Sequence, residues 1–214
     1  MDEIDEIIKI ITQLNKYLQD CYVLGGSWVL YFYRFKYPDF KYPLRTFDID
    51  FIFSLYAKRK KIKVDLQKIL ENLGYYPEVI GTVTGYSYSR FKGENIDLEF
   101  IIEEPTGNKN KILKLNNLNI DAIPLPFVGD LLEDIIFAEV ENVKIPLPSP
   151  ERFHIHKWLV VQRRKDLMKK EKDLQQGLEI LKICNLEKLN QLIQELKGKR
   201  KKLYEKSKQE IENL

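Results

Sequence analysis

Tyr22-Val23-Leu24-Gly25-Gly26-Ser27 and, after a gap, Arg45-Thr46-Phe47-Asp48-Ile49-Asp50-Phe51-Ile52-Phe53 decide how this chain reads. The first stretch is an apolar run ending in a glycine turn. The second sets two aspartates one residue apart inside another apolar run. Side chains alternate across a strand, so Asp48 and Asp50 share a face while Phe47, Ile49 and Phe51 point into the opposite layer. Hard divalent cations such as Mg²⁺ are usually held by one or two carboxylates plus waters and substrate phosphates, and this pair suits that role. The turn supplies the complement. Backbone N–H groups where a strand gives way to a helix favour anions, and glycine lets a phosphate come close. Ser27 is placed to cap the helix or to give its hydroxyl to a phosphate.

Taken singly, each stretch has a plainer reading. A Gly-Gly-Ser turn is often only a turn, and two aspartates on a sheet face are often merely solvated. Taken together they describe a triphosphate held beside a metal ion. A site of that kind is usually completed by a third acid, and Asp97 in Asn95-Ile96-Asp97-Leu98-Glu99-Phe100 is the first choice, with Glu99 on the same face as the second.

Working outward, Ile4, Ile7, Ile8, Ile11, Leu14 and Leu18 recur at helical spacing, so an amphipathic helix from Asp2 to Leu18 opens the chain and packs on a sheet. Short strands are expected at Tyr22 to Leu24 and Asp48 to Phe53, with a helix from Ser27 between them. A second helix runs from Val64 to Leu73 and is stopped by Gly74. Further strands are expected at Glu78 to Val83, Tyr86 to Phe91 and Ile96 to Ile102, and a small hairpin at Ile112 to Leu115 with Asn119 to Ile123. Beyond Ile145-Pro146-Leu147-Pro148-Ser149-Pro150 the prolines vanish and helical periodicity takes over. The fold class is α+β: a mixed β-sheet core over residues 1–148 with an N-terminal helix, and a C-terminal helical lobe over residues 149–214.

The 44% apolar content is that of a chain with a core, and the net charge of +3 decides little about partners. Its distribution says more, because Gln162 to Lys172 and Lys197 to Lys208 are both basic and suit an anionic partner; solvated helix faces are the plainer reading. The two cysteines, Cys21 and Cys184, lack a C-x-x-C spacing, which argues against a disulfide framework and fits a reducing compartment, by default the cytoplasm. No apolar run is long enough to span a bilayer. His154 and His156, two apart on a helix, point to nearly opposite sides and do not chelate one ion.

The order Gly-Gly-Ser, then Arg-x-Thr-x-Asp-x-Asp, then a later strand with Ile-Asp-Leu resembles the nucleotidyltransferase superfamily related to DNA polymerase beta, over roughly residues 20 to 105. The long gap after Ser27 and the Arg45-Thr46 lead-in are more similar to its bacterial branch of orphan and toxin-type enzymes. Trp28-Val29-Leu30 departs from the small residues more usual after the serine. The resemblance implies that Gly25, Gly26, Ser27 and Arg45 bind nucleotide, that Asp48, Asp50 and Asp97 bind Mg²⁺ or Mn²⁺, and that Asp97 assists deprotonation of the acceptor. In the helical lobe, Pro150-Glu151-Arg152-Phe153-His154-Ile155-His156-Lys157, followed by Arg163-Arg164 and later by Lys172-Asp173-Leu174, resembles a helix pair of the same branch, which gives Lys157 and Asp173 a phosphate-binding and an orienting role. A surface lysine and an inter-helix ion pair are the plainer alternatives.

The expected activity is therefore metal-dependent transfer of a nucleoside monophosphate from a nucleoside triphosphate to a hydroxyl acceptor. RNA, including tRNA 3′ ends, a protein and a small molecule are the acceptor classes, and a toxin-type member implies an antitoxin-like regulator. The rival is a catalytically inactive nucleotide- or RNA-binding module of the same fold.

Overall fold

The computed structural model describes residues 3–18, 21–43, 46–54, 62–81, 87–105 and 112–212. The opening amphipathic pattern becomes α1 (Glu3–Leu18), which buries Ile7, Ile8, Ile10, Ile11, Leu14 and Leu18 in the main core. Next come β1 (Tyr22–Leu24), the short α2 (Trp28–Tyr33) and β2 (Asp48–Phe53). α3 (Leu66–Asn72) starts where the Asp65 carboxylate accepts the Lys68 N–H, and it ends before Gly74 at φ +93°. Then follow β3 (Tyr76–Gly81), β4 (Ser87–Lys92) and β5 (Asp97–Glu103). β6 (Leu113–Leu115) and β7 (Ile120–Leu125) form the expected small hairpin. Val83 and Tyr86, assigned above to strands, lie outside the described residues.

The sheet is mixed, as expected, with the order β1-β2-β5-β4-β3. Its centre is the parallel pair β2 and β5, in which Asp48 stands opposite Asp97 and Asp50 opposite Glu99. The other edge of β5 is divided. Leu98 faces Phe91 of β4, while Ile101 to Glu103 run parallel to Ile123 to Leu125 of β7. Ile49, Phe51, Leu98 and Phe100 are fully buried under the carboxylate-bearing face, and Phe51 stacks on Phe100 with ring centroids 5.8 Å apart. Phe47 departs from the expected alternation: it precedes the first paired residue of β2 and is 76% exposed.

A second hairpin was not foreseen. β8 (Ile135–Val140) and β9 (Val143–Pro148) pair antiparallel across a two-residue turn, with Glu141 and Asn142 both at positive φ. Pro146 and Pro148 disguise β9 in the sequence, but in a two-stranded ribbon one edge of each strand needs no ladder partner, so proline is tolerated there. β9 packs against α1, α2 and β1; Asn15 donates to the Lys144 carbonyl (2.8 Å) and the Tyr33 hydroxyl to that of Pro148 (2.9 Å).

From Pro150 the chain is helical: α4 (Pro150–Val161), α5 (Leu167–Ile180), α6 (Leu186–Glu195) and α7 (Gly198–Glu212). Ser149, Asp166 and Asn185 cap the first three. α4 works in two directions, since Phe153 belongs to the sheet's core while Ile155, Trp158 and Leu159 join Leu189 and Tyr204 in a second cluster. Gly177 lets α5 approach α4 closely, because a Cβ there would lie 2.3 Å from the Trp158 indole.

At that junction the His154 Nδ1–H donates to the Gly177 carbonyl (2.8 Å), so in the neutral imidazole Nε2 accepts from the Tyr204 hydroxyl (2.9 Å). Burial outweighs the Gly177 bond and pulls His154 down to about 4 from an ordinary 6.5. The unfolded chain therefore takes up a proton that the folded one refuses. The contribution is whole above pH 6.5 and is lost as pH falls from 6.5 toward about 4. Unfolding free energies measured by denaturant titration across that window should fall more steeply for the wild type than for His154→Gln, by up to about 1.4 kcal/mol per pH unit. Equal slopes would refute this.

Candidate active site

The carboxylate face of β2 and β5 opens into a cleft of about 230 Å³. Gly26, Ser27, Thr46, Asp48, Asp50, Glu99, Ile101 and Leu125 line it from the sheet side, and Lys157, Arg164, Lys169, Lys172 and Asp173 from α4, α5 and the loop between them. Two other hollows, of about 440 and 220 Å³, contain neither the glycine turn nor the paired aspartates. One lies between the segment Lys36 to Lys41 and the end of α5, the other beside the β6–β7 hairpin.

Alternation puts Asp48 and Asp50 on the open face, as their spacing predicts. The Asp48 carboxylate accepts the Thr46 hydroxyl. Asp50 lies deeper, with the glycine turn against it: the Gly25 N–H donates to the Asp50 carbonyl (2.8 Å), and Gly26 holds φ +63° beside the carboxylate. A Cβ on Gly26 would sit 2.3 Å from Asp50 Oδ2, so only glycine fits both the backbone and the neighbour. Gly26→Ala should cost about 1–2 kcal/mol through the left-handed backbone and displace the carboxylate as well. Urea unfolding and transfer assays check the two parts separately, and an unchanged midpoint would argue against the strained turn.

Burial, then the nearby Asp48 and Glu99 carboxylates, push the Asp50 carboxyl up to about 7 against the opposing pull of Lys157 and Arg164. The site thus concentrates negative charge on one wall and positive charge on the other. Among the described residues no three His, Cys, Asp or Glu side chains close on one point tightly enough to hold an ion unaided.

Asp97 and Glu99 share the face, but their surroundings differ. Asp97 stands opposite Asp48 at the strand's start and is ion-paired with Arg90 (3.2 Å), whose Nε also bonds Glu78 (2.8 Å). It is absent from the cleft lining. Glu99, opposite Asp50, is part of it. Arg45 lies outside the described residues, and Gly25 supports the turn from beneath, with Ile52 and Asp50 packed against it. Trp28, the departure after the serine, is buried with Tyr31 and Phe32 in the core and leaves the cleft unaltered.

On the opposite wall, Lys157 Nζ and Arg164 Nε each donate to Asp173, at 2.8 and 2.7 Å. Lys157 and Asp173 are both buried. Burial alone would raise the Asp173 carboxyl, but the two cations and their hydrogen bonds hold it below the ordinary range. Sequence reading found Lys157 and Asp173 but missed Arg164 and Lys169 as cleft residues. Lys169 was signalled only by membership of a basic stretch, and Arg164 stood in the helix-pair resemblance without a role. Gln176, unremarked in the sequence, is fully buried and donates Nε2 to the Ser27 hydroxyl (2.9 Å).

No helix among the described residues is long and apolar enough to cross a membrane. The chain matches no curated protein. Among solved structures, an antigenic nucleotidyltransferase-like protein from Paracoccidioides brasiliensis is similar over 84% of this chain and 77% of its own, at 15% identity and a TM-score of 0.45. The model of the family described as nucleotidyltransferase matches residues 5–198, and with the glycine turn, paired aspartates and basic wall in one cleft, the chain belongs to that family.

Proposed function

We propose that this protein moves a nucleoside monophosphate from a nucleoside triphosphate to a hydroxyl acceptor, with release of pyrophosphate. One observation carries the reading: a single cleft joins the Gly26–Ser27 turn, the carboxyl groups of Asp48, Asp50 and Glu99, and the cations Lys157, Arg164, Lys169 and Lys172. Asp48 and Asp50 would hold Mg²⁺ or Mn²⁺, with Glu99 in the third position that Asp97, paired to Arg90, would otherwise take. The donor set fits, since hard oxygens crowd together with surplus negative charge that a cation would relieve. When bound, such an ion supplies neutralisation of phosphate charge and a lowered pKa for the attacking hydroxyl.

The chain's own contribution is positioning and electrostatics, which phosphoryl-type transfer needs more than covalent catalysis. Lys157 and Arg164 would orient the triphosphate against the carboxylates, held in place themselves by Asp173. Gly26 leaves room for the Asp50 carboxylate, which any side chain there would displace. Exposed Lys169 and Lys172 in the cleft lining, with the exposed Arg163 and Lys165 that flank Arg164 in the sequence, favour an anionic acceptor, and RNA is the acceptor class we infer. Labelled nucleotides incubated with Mg²⁺ or Mn²⁺ and separated RNA, protein and small-molecule fractions test this. Label should enter RNA and fall steeply with added salt. Label in protein would redirect the acceptor, and tight nucleotide binding without any transfer would favour a non-catalytic binding module.

A further inference from the structure

Asp173 and Gln176 lie three residues apart on α5, so they share the face that looks toward the sheet. Asp173 holds the cations. Gln176 reaches 149 positions back along the sequence to Ser27, the cleft residue at the end of the glycine turn. Both partners are buried, Gln176 completely and Ser27 to within 6%. The Ser27 side chain makes no capping bond to α2, so neither lone pair of its hydroxyl is spent on a helix N–H.

A hydroxyl has one proton and two lone pairs. With the Gln176 N–H on one lone pair, the proton points away from the amide. We propose that Gln176 is a positioning residue: its buried carboxamide fixes the Ser27 hydroxyl as a donor aimed into the cleft, where it meets the phosphates of the nucleoside triphosphate. Among the described residues the Gln176 carbonyl oxygen has no hydrogen-bond partner, so the side chain is held there at the cost of one unpaired buried acceptor. That is an expensive way merely to fill space, since a leucine or methionine would do so without it.

This inference rests on the nucleotide-transfer reading, and the test separates the two. A nonhydrolysable nucleoside triphosphate with Mg²⁺ is titrated by calorimetry into the wild type, Ser27→Ala, Gln176→Met, Gln176→Glu and the double variant Ser27→Ala/Gln176→Glu. Ser27→Ala should weaken binding about ten- to a hundredfold, the worth of one hydrogen bond to a charged group. Gln176→Glu turns the neighbour into an acceptor, draws the Ser27 proton inward, and should weaken binding as much. The double variant should be little worse than either single one, because only one hydroxyl is being misdirected. Gln176→Met, which leaves the hydroxyl free to rotate, should fall between wild type and Ser27→Ala in affinity, and in the label-transfer assay its KM should rise more than its kcat falls.

Additive losses in the double variant would mean simple charge repulsion by the new carboxylate and would overturn the proposal. So would wild-type affinity in Gln176→Met and Gln176→Glu when Ser27→Ala is impaired. A wild type that binds no triphosphate would instead remove the functional reading itself. Thermal unfolding of each variant, followed alongside, shows whether an affinity change arises from a loosened fold.

Discussion

Asp50→Asn should reduce nucleotidyl transfer by roughly a hundred- to a thousandfold, the scale on which losing one electrostatic contact to the reacting centre is felt. Stability should hold or rise slightly. The substitution keeps the shape of the side chain, and it removes a carboxyl that burial, Asp48 and Glu99 already push up to about 7. Loss of activity with an unchanged or higher melting point is a signature a misfolded variant does not give. Asp48→Asn should behave similarly. The pair Glu99→Gln and Asp97→Asn then decides the third carboxylate: Glu99→Gln should impair transfer and Asp97→Asn should do so far less, because Asp97 faces Arg90 at 3.2 Å outside the cleft lining. The reverse ranking would return the third position to Asp97, and full activity in Asp50→Asn would remove the cleft as the reaction centre.

The second large effect is expected at Asp173. Removing one partner of a buried ion pair leaves the other charge unsolvated, and Asp173→Ala should cost about 3–5 kcal/mol for that reason. Arg164 is partly open to water and can hydrate itself, whereas the Lys157 side chain is only 8% exposed and cannot. The double replacement Lys157→Met/Asp173→Leu should recover much of the lost stability, since an apolar pair of similar volume is often as stable as a buried ion pair. It should not recover transfer. Urea unfolding and the label assay together check both halves. Recovery of activity in the apolar pair would show that Lys157 does nothing to the triphosphate.

Local rules carried the reading of the sheet's active face. Strand alternation alone placed Asp48 and Asp50 on one side and Ile49 and Phe51 on the other, and Gly26 was legible as part of a Gly-Gly-Ser turn between a strand and a helix, where glycine permits close approach. Long-range pairing was not legible. Asp97 and Glu99 have the same parity, so alternation could not rank them. Their difference comes from the β2–β5 register and from Arg90 on the neighbouring strand. Gln176 and Ser27 meet across 149 positions with no periodicity to announce them. The β8–β9 hairpin was hidden because Pro146 and Pro148 count against a strand unless it is known to have a free edge. Phe47 reads as core by pattern, yet sits just before the paired part of β2, where nothing covers it.

The two walls of the cleft are far apart in time as well as in sequence. A ribosome delivers the glycine turn and the paired aspartates early, whereas Lys157, Arg164 and Asp173 emerge only after every strand of the sheet. Until α5 has left the exit tunnel and folded back, the nascent chain can carry an acidic wall but not the cationic one, so no half-made copy contains the assembled cleft.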